Sequence, residues 1–344
     1  MTSYDYDLIT IGAGSGGVAA SRYAASQGVR VAICESDRIG GTCVIRGCIP
    51  KKLFMYASQF SDAFADARSF GWQVEAPTFN MAQLTAMKNA EIDRLEAIYQ
   101  RMLDGAGVTL LRGHARLLDA HTVLIGDRQL RAERILIATG GRPAQPAIPG
   151  IELAITSDHI LELTTLPRRL LVLGAGYIAL EFAGIFNGLG SEVDVAFRAD
   201  APLRGFDADL RHRLAIGMAE RGVRMHPQFR FSRLERDGEQ IVAYSDEGDS
   251  LRADVVLNGL GREPNTRDLG LVEAGVELDA DSGAVRVDPH SRTSLASVFA
   301  VGDVTNRVNL TPIAIAEARA FVDTEYGRMP RSINHDLVAS AVFT

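Results

Sequence analysis

The feature that most restricts how this chain can fold is a glycine-rich strand-to-helix turn that occurs twice. Residues 7–11 read as a short buried strand that runs into Gly12-Ala13-Gly14-Ser15-Gly16-Gly17. A small-residue helix over 18–26 and a second strand over 29–34, closed by Glu35, follow. The arrangement returns 162 residues later. Residues 170–173 lead into Gly174-Ala175-Gly176-Tyr177-Ile178-Ala179, then a helix to about Leu189 and a strand over 192–197 that ends at Arg198. In such a turn the first glycine makes the tight bend and the second lets backbone approach a pyrophosphate. The third lets helix pack closely on strand, and the helix N-terminus faces the phosphate charge. Two βαβ units of one design predict an α/β chain with two Rossmann-like dinucleotide-binding domains.

The residue closing each second strand sorts the two sites. Glu35, 23 residues past Gly12, is an acceptor suited to ribose hydroxyls, as in FAD or NAD. Arg198, 24 residues past Gly174, suits a ribose 2′-phosphate, as in NADP, and Arg204 lies six residues further on. Two dinucleotides of different type in one chain imply electron transfer between them. Between the fingerprints, Leu84, Met87, Ile92, Leu95, Ile98 and Met102 recur at helical spacing, which predicts a long amphipathic helix from an N-cap at Asn80 to near Gly105. Strands are expected over 134–138, over 251–257 and over 298–301, with a hairpin over 231–244 turning at Asp237-Gly238.

Cys43 and Cys48 are the second strong signal, in Gly40-Gly41-Thr42-Cys43-Val44-Ile45-Arg46-Gly47-Cys48-Ile49-Pro50-Lys51-Lys52. On a regular helix, positions i and i+5 stand about 140° apart with ~7.5 Å of rise. A disulfide needs Cα atoms about 4.4–6.8 Å apart. If these two bond, the backbone between them must leave ideal helix, and Gly47 gives it the freedom to do so. Zinc is the competing chemistry, but the seven histidines are scattered and offer no second ligand cluster. Three cysteines in 344 residues exclude a disulfide scaffold, and Cys34 reads as a core thiol. Formal charge is −7 and interspersed, which argues against nucleic acid or a polybasic membrane surface. The longest apolar stretch, residues 170–180, is too short to cross a bilayer. Met1-Thr2-Ser3-Tyr4-Asp5 leads straight into a strand without a visible export signal, so a cytoplasmic protein is expected.

With these motifs the chain closely resembles the FAD-dependent pyridine nucleotide–disulfide oxidoreductases, and among them the glutathione-reducing branch. The likeness extends over Ile137-Ala138-Thr139-Gly140, Gly261-Arg262-Glu263-Pro264-Asn265-Thr266, Val301-Gly302-Asp303 and Leu310-Thr311-Pro312. The resemblance implies that Gly12, Gly14, Ser15, Gly16, Gly17, Glu35, Thr42, Lys51, Thr139, Gly140, Asp303 and Thr311 hold FAD, with Ala115 lending its backbone. It assigns NADPH to Gly174, Ala175, Gly176, Ile178, Glu181, Arg198, Arg204, Gly261 and Arg262. Val342 joins the cofactor contacts, and Tyr177 covers the nicotinamide pocket. Lys51 and Glu181 would pair beside the flavin. Cys43 and Cys48 would form the redox disulfide, Cys48 facing the flavin and Cys43 attacking the substrate. Ser15, Arg22, Tyr99 and Arg319 would recognise glutathione disulfide, whose four carboxylates suit cationic side chains.

Alternatives in view are dihydrolipoamide dehydrogenase, which usually shows Ser-Lys where this chain has Lys51-Lys52, and a non-catalytic FAD-binding or electron-transfer module. Two departures stand out: Ala199 where relatives often carry a basic residue, and Asn309 where they tend to have an acid. The domain scheme implied is 1–145 for FAD and the redox cysteines, 146–264 for NADPH, and 265–344 as a central segment completing a discontinuous FAD domain. The sequence ends at Thr344, where the family begins its dimerisation domain with the catalytic His–Glu pair. The resemblance therefore implies a homodimer for a full-length member. For this chain it implies a monomer that accepts electrons but turns over little substrate, with His226-Pro227 a mere look-alike and no acid–base residue to nominate.

Overall fold

The computed structural model describes residues 4–73, 75 and 77–344. Met1–Ser3, read above as leading into the first strand, lie outside the described residues. The first half of the chain forms β1 (Tyr6–Ile11), α1 (Ser15–Ser26), β2 (Val31–Glu35), α2 (Gly41–Ile45), α3 (Cys48–Ser69) and α4 (Met81–Gly105). It continues through β3 (Thr109–Arg112), β4 (Ala115–Asp119), β5 (Thr122–Ile125), β6 (Arg128–Ile137), β7 (Gly141–Pro143) and α5 (Ser157–Ile160). Then come β8 (Arg169–Leu173), α6 (Tyr177–Leu189), β9 (Glu192–Ala196), α7 (Ala208–Glu220), β10 (Arg224–His226), β11 (Phe231–Asp237) and β12 (Gln240–Ser245). The chain closes with β13 (Ser250–Ala253), β14 (Val255–Asn258), β15 (Arg262–Pro264), α8 (Leu271–Ala274), β16 (Val298–Ala300) and α9 (Thr311–Glu325).

Two compact units result. The first takes residues up to 45, 92–142 and 262–339; the second takes 46–91, 143–261 and 340–344. The divisions after Arg142 and Gly261 fall three residues from those expected. Residues 46–91, expected with the FAD segment, group instead with the second unit. The cause is apolar packing: Phe54 of α3 and Met81 and Leu84 of α4 share a buried cluster with Phe182 and Phe186 of α6.

In the first unit β1 lies between β2 and β6, all parallel, with β3 and β16 extending the parallel set and β4–β5 joining β6 as an antiparallel meander. Parallel strands here are covered on both faces, which is why they read as unbroken apolar runs. Ile9, Ile11, Ile135 and Ile137 face one core, while Leu8, Ile33, Leu136 and Phe299 face another with Phe321 of α9. The second unit has a parallel sheet ordered β10-β9-β8-β14 and a separate antiparallel sheet β11-β12-β13.

Two expectations need correction. Residues 251–257 are not one strand: β13 pairs with β12 and β14 pairs with β8, in different sheets. Asp254 stands at the break, its carboxylate accepting from Arg169 N–H at 2.9 Å and from Gln240 at 3.2 Å. The long helix forms as expected, with Asn80 Oδ1 capping Gln83 N–H at 3.0 Å. Its buried stripe, however, passes through Thr85 and Lys88 and leaves Met87 exposed. Lys88 is tolerated there because Glu162 and Asn89 each accept from its ammonium at 2.5 Å.

Candidate functional site: two glycine turns and a split cysteine segment

In the first unit β1 delivers Gly12 with φ of 102°, and a Cβ there would stand 2.5 Å from Ala138 O. A Cβ on Gly17 would stand 1.9 Å from Gly12 O, so helix and strand lie as close as the third-glycine role requires. A Cβ on Gly41 would lie 2.6 Å from Gly14 Cα, so the turn meets the start of the cysteine segment backbone to backbone. Ser15 begins α1 at the mouth of this turn, and Gly16 packs against Val301 and Ala314.

Glu35 closes β2 as expected. Its Oε2 accepts from Ala13 N–H at 2.7 Å and its Oε1 from Asp37 N–H at 2.8 Å, which orients the carboxylate beside the turn. Thr139 Oγ1 donates to Asn265 O at 2.7 Å, and Asn265 N–H donates to Gly140 O at 2.9 Å. Two motifs 126 residues apart are thereby clasped together. Arg262 belongs to this clasp, donating to Gly141 O at 2.5 Å. Asp303 lies nearby, its carboxyl pushed above the ordinary value mainly by burial, with Arg262 opposing and Glu317 adding to the rise. Thr311 begins α9, and Ala115 is buried at the start of β4 opposite Ile125.

Cys43 sits half-buried in α2 and Thr42 exposed beside it. Tyr99 has its phenol pKa raised by burial first, then by the charge of Cys43, with Arg22 pulling the other way. Cys43 and Arg22 are thus near enough to act on the Tyr99 phenol. Arg22 also buries its Nε without a hydrogen-bond partner. Arg319 is exposed on α9, close enough to Tyr23 to influence its phenol.

The helix breaks between the cysteines: α2 ends at Ile45, and α3 starts at Cys48 after Gly47 with φ −134° and ψ −112°. Cys48 is exposed at the first position of α3, in the second unit. One turn later Lys51 is only 8% exposed, and it forms an ion pair with Glu181 of α6, itself 1% exposed. Phe343 N–H donates to Glu181 Oε1 at 2.8 Å, and Lys51 Nζ lies 5.5 Å from the centre of the Tyr177 ring. Ile178 and Val342 pack onto the apolar cluster of this unit.

The second glycine turn opens on a cavity of about 800 Å³ lined by Gly174, Ala175, Gly176, Arg198, Ala199, Arg204, Arg230 and Gly261, among others. Arg262 does not line it. The fingerprint's third position is Ala179, and its methyl is accommodated because the facing strand end is Gly259, where a Cβ would be 2.9 Å away. Leu203 N–H donates to Ala175 O at 2.9 Å and carries Arg204 back to the turn.

Sequence reading missed Arg230, Phe343 and Glu317. Glu317 is 2% exposed and accepts from Gly302 N–H at 2.7 Å, while Arg307 and His335 approach its Oε1 at 2.9 and 2.7 Å. It anchors the Gly302–Asp303 turn. His226 sits on β10, and its acid is Asp194 of β9, at 2.7 Å. No helix among the described residues is long and apolar enough to cross a membrane.

Tight glycine packing at Gly12, Gly17 and Gly174, an acid closing one second strand, arginines just past the other, and a broken cysteine segment define a two-dinucleotide disulfide oxidoreductase. A model of the pyridine nucleotide-disulphide oxidoreductase family matches residues 6–318, and the chain belongs to that family. It is 45% identical over 353 residues to the glutathione reductase of Nostoc sp. (strain PCC 7120 / SAG 25.82 / UTEX 2576), covering 99% of this chain and 77% of that one. It is 46% identical over 344 residues to the glutathione reductase of Burkholderia cepacia, covering 100% and 76% respectively. Among solved structures it is similar to the HOCl-induced flavoprotein disulfide reductase RclA of Escherichia coli. The TM-score is 0.86 at 28% identity, covering 95% of this chain and 72% of that one.

Proposed function

We propose that this protein is an NADPH-dependent flavoprotein that reduces glutathione disulfide through Cys43 and Cys48. The observation that carries the reading is the buried Lys51–Glu181 pair one helical turn from Cys48. A buried cation with its own carboxylate partner, contributed by the helix of a dinucleotide turn, has no packing purpose that an apolar residue would not serve as well. When bound, FAD would supply two-electron transfer between NADPH and the cysteine pair. The first glycine turn fits FAD, since Gly12 and Gly41 let the turn pack backbone to backbone against Ala138 and Gly14 as a dinucleotide turn requires, and Glu35 is already oriented. The second fits NADPH, since Arg198 and Arg204 line its cavity and neither forms an ion pair among the described residues.

In this reading the Cys43 thiolate attacks one sulfur of glutathione disulfide, and the first glutathione leaves as its thiol after gaining a proton. Cys48 then attacks the sulfur of Cys43 in the mixed disulfide, releasing the second glutathione and closing Cys43–Cys48. Arg22 and Tyr99, grouped with Cys43, receive the substrate's carboxylates, and Arg319 supplies a further cation. We place the reaction in the cytoplasm, where NADPH keeps thiols reduced.

The test is a single turnover. Protein reduced with one equivalent of NADPH should be reoxidised by glutathione disulfide far faster than by cystine or lipoamide. Equal rates for the three would sink the substrate assignment, and faster reoxidation by lipoamide would favour the dihydrolipoamide reading.

A further inference from the structure

We propose that Arg230 is a third guanidinium for the 2′-phosphate of NADPH, standing in for the basic side chain that Ala199 lacks. The inference rests on the NADPH reading above. Three arginines line the 800 Å³ cavity: Arg198 just past β9, Arg204 on the following loop, and Arg230 just before β11. None of the three guanidinium groups has a carboxylate or hydrogen-bond partner among the described residues. Their neighbours are committed: Arg211 donates to Pro202 O and Ala201 O, Arg224 to Asp194, and Arg233 to Glu235. Three uncompensated cations around one cavity repel one another, and an anion seated among them removes that cost.

Backbone geometry brings Arg230 there. Phe229 N–H donates to Phe197 O at 3.0 Å and Gln228 N–H to Ala199 O at 3.2 Å, so residues 228–229 run beside 197–199. Gln228 adopts φ of 58° and its Nε2 donates to Asp200 Oδ1 at 2.8 Å, which engages the acid two residues past Arg198. Buried Phe229 anchors the segment, and Arg230 O accepts from Asp246 N–H at 2.9 Å. The backbone of Ala199 thus fixes the segment that presents the guanidinium its own side chain cannot supply. Guanidinium groups bind phosphate in paired geometry, and several around one phosphate add specificity as well as affinity.

Calorimetric titration of the FAD-loaded protein with 2′,5′-ADP and with 5′-AMP reads this without turnover. The parent should bind 2′,5′-ADP at least 100-fold more tightly. Arg230→Gln should cut that ratio by about 10-fold, as expected for one charge-assisted contact at an exposed site. It should leave 5′-AMP affinity unchanged, and Arg230→Lys should restore part of the ratio. A parent with no preference would overturn the NADPH reading and this inference with it. A preference retained in full by Arg230→Gln overturns the inference alone. So does an equal loss for both nucleotides, which would mean that Arg230 serves the 5′-phosphate.

Discussion

Glu181→Gln isolates the charge in the Lys51–Glu181 pair. The substitution keeps shape and still offers an oxygen to Phe343 N–H, so what it removes is the negative partner of a buried ammonium. Lys51 and Glu181 are 8% and 1% exposed, so solvent screens little of the interaction. Breaking a buried pair from one side costs about 3–5 kcal/mol, because the remaining charge is left uncompensated. For a unit of this size each kcal/mol lowers Tm by about 2–4 °C, which gives a drop of at least ~6 °C. Scanning calorimetry of the FAD-loaded protein measures it. The double variant Lys51→Met/Glu181→Leu should recover most of the loss, since replacing both charges by apolar groups is often neutral or better. It should also be reduced by NADPH far more slowly, which separates stability from chemistry. A Tm within 2 °C of the parent for Glu181→Gln, or a double variant no more stable than the single, would refute the argument.

Cys34 is 1% exposed, and burial pushes its thiol up to about 12 with Glu35 adding to the rise. Iodoacetamide at pH 8 should therefore label Cys43 and Cys48 of the reduced native protein and reach Cys34 only after unfolding, as mass spectrometry will show. Burial raises the Asp194 carboxyl, but bonds from Arg224 and His226 outweigh it and hold it at about 2. Since the folded value lies below the unfolded 3.8, the stabilisation is full above pH 4 and is lost as pH falls toward 2. Asp194→Asn should accordingly cost about 2 kcal/mol at pH 7 in urea unfolding, and the deficit should shrink below pH 4. Glu317→Gln should loosen the Gly302–Asp303 turn, so that heating releases flavin fluorescence at least 5 °C earlier than in the parent; an unchanged release temperature would count against that anchoring role.

Local chemistry was the legible part. The glycine turns announce themselves because each steric requirement acts within a few residues, and Glu35 and Arg198 follow at a distance set by one helix and one strand. The freedom that Gly47 gives the backbone between the cysteines was equally readable, since it is a local fact. Contacts between distant segments were not. Glu317 bonds to Gly302 fifteen residues away, Phe343 to Glu181 across 162 residues, and Gln228 comes beside Ala199 through pairing that no pattern encodes. Asp254 splits an apolar run between two sheets because its carboxylate, an apparent blemish in the run, satisfies Arg169 N–H at the junction. Lys88 is buried on the long helix because its partner Glu162 lies 74 residues on.

The central claim is that electrons from NADPH arrive at Cys43 and Cys48, and thiol counting tests it most directly. The purified, oxidised flavoprotein should be mixed anaerobically with one equivalent of NADPH, quenched in denaturant with a thiol-reactive chromophore, and compared with an untreated sample. The account predicts two new thiols per chain, mapped by mass spectrometry to Cys43 and Cys48, with none gained in Cys43→Ser or Cys48→Ser. Flavin that bleaches on NADPH addition while the thiol count stays constant would contradict it.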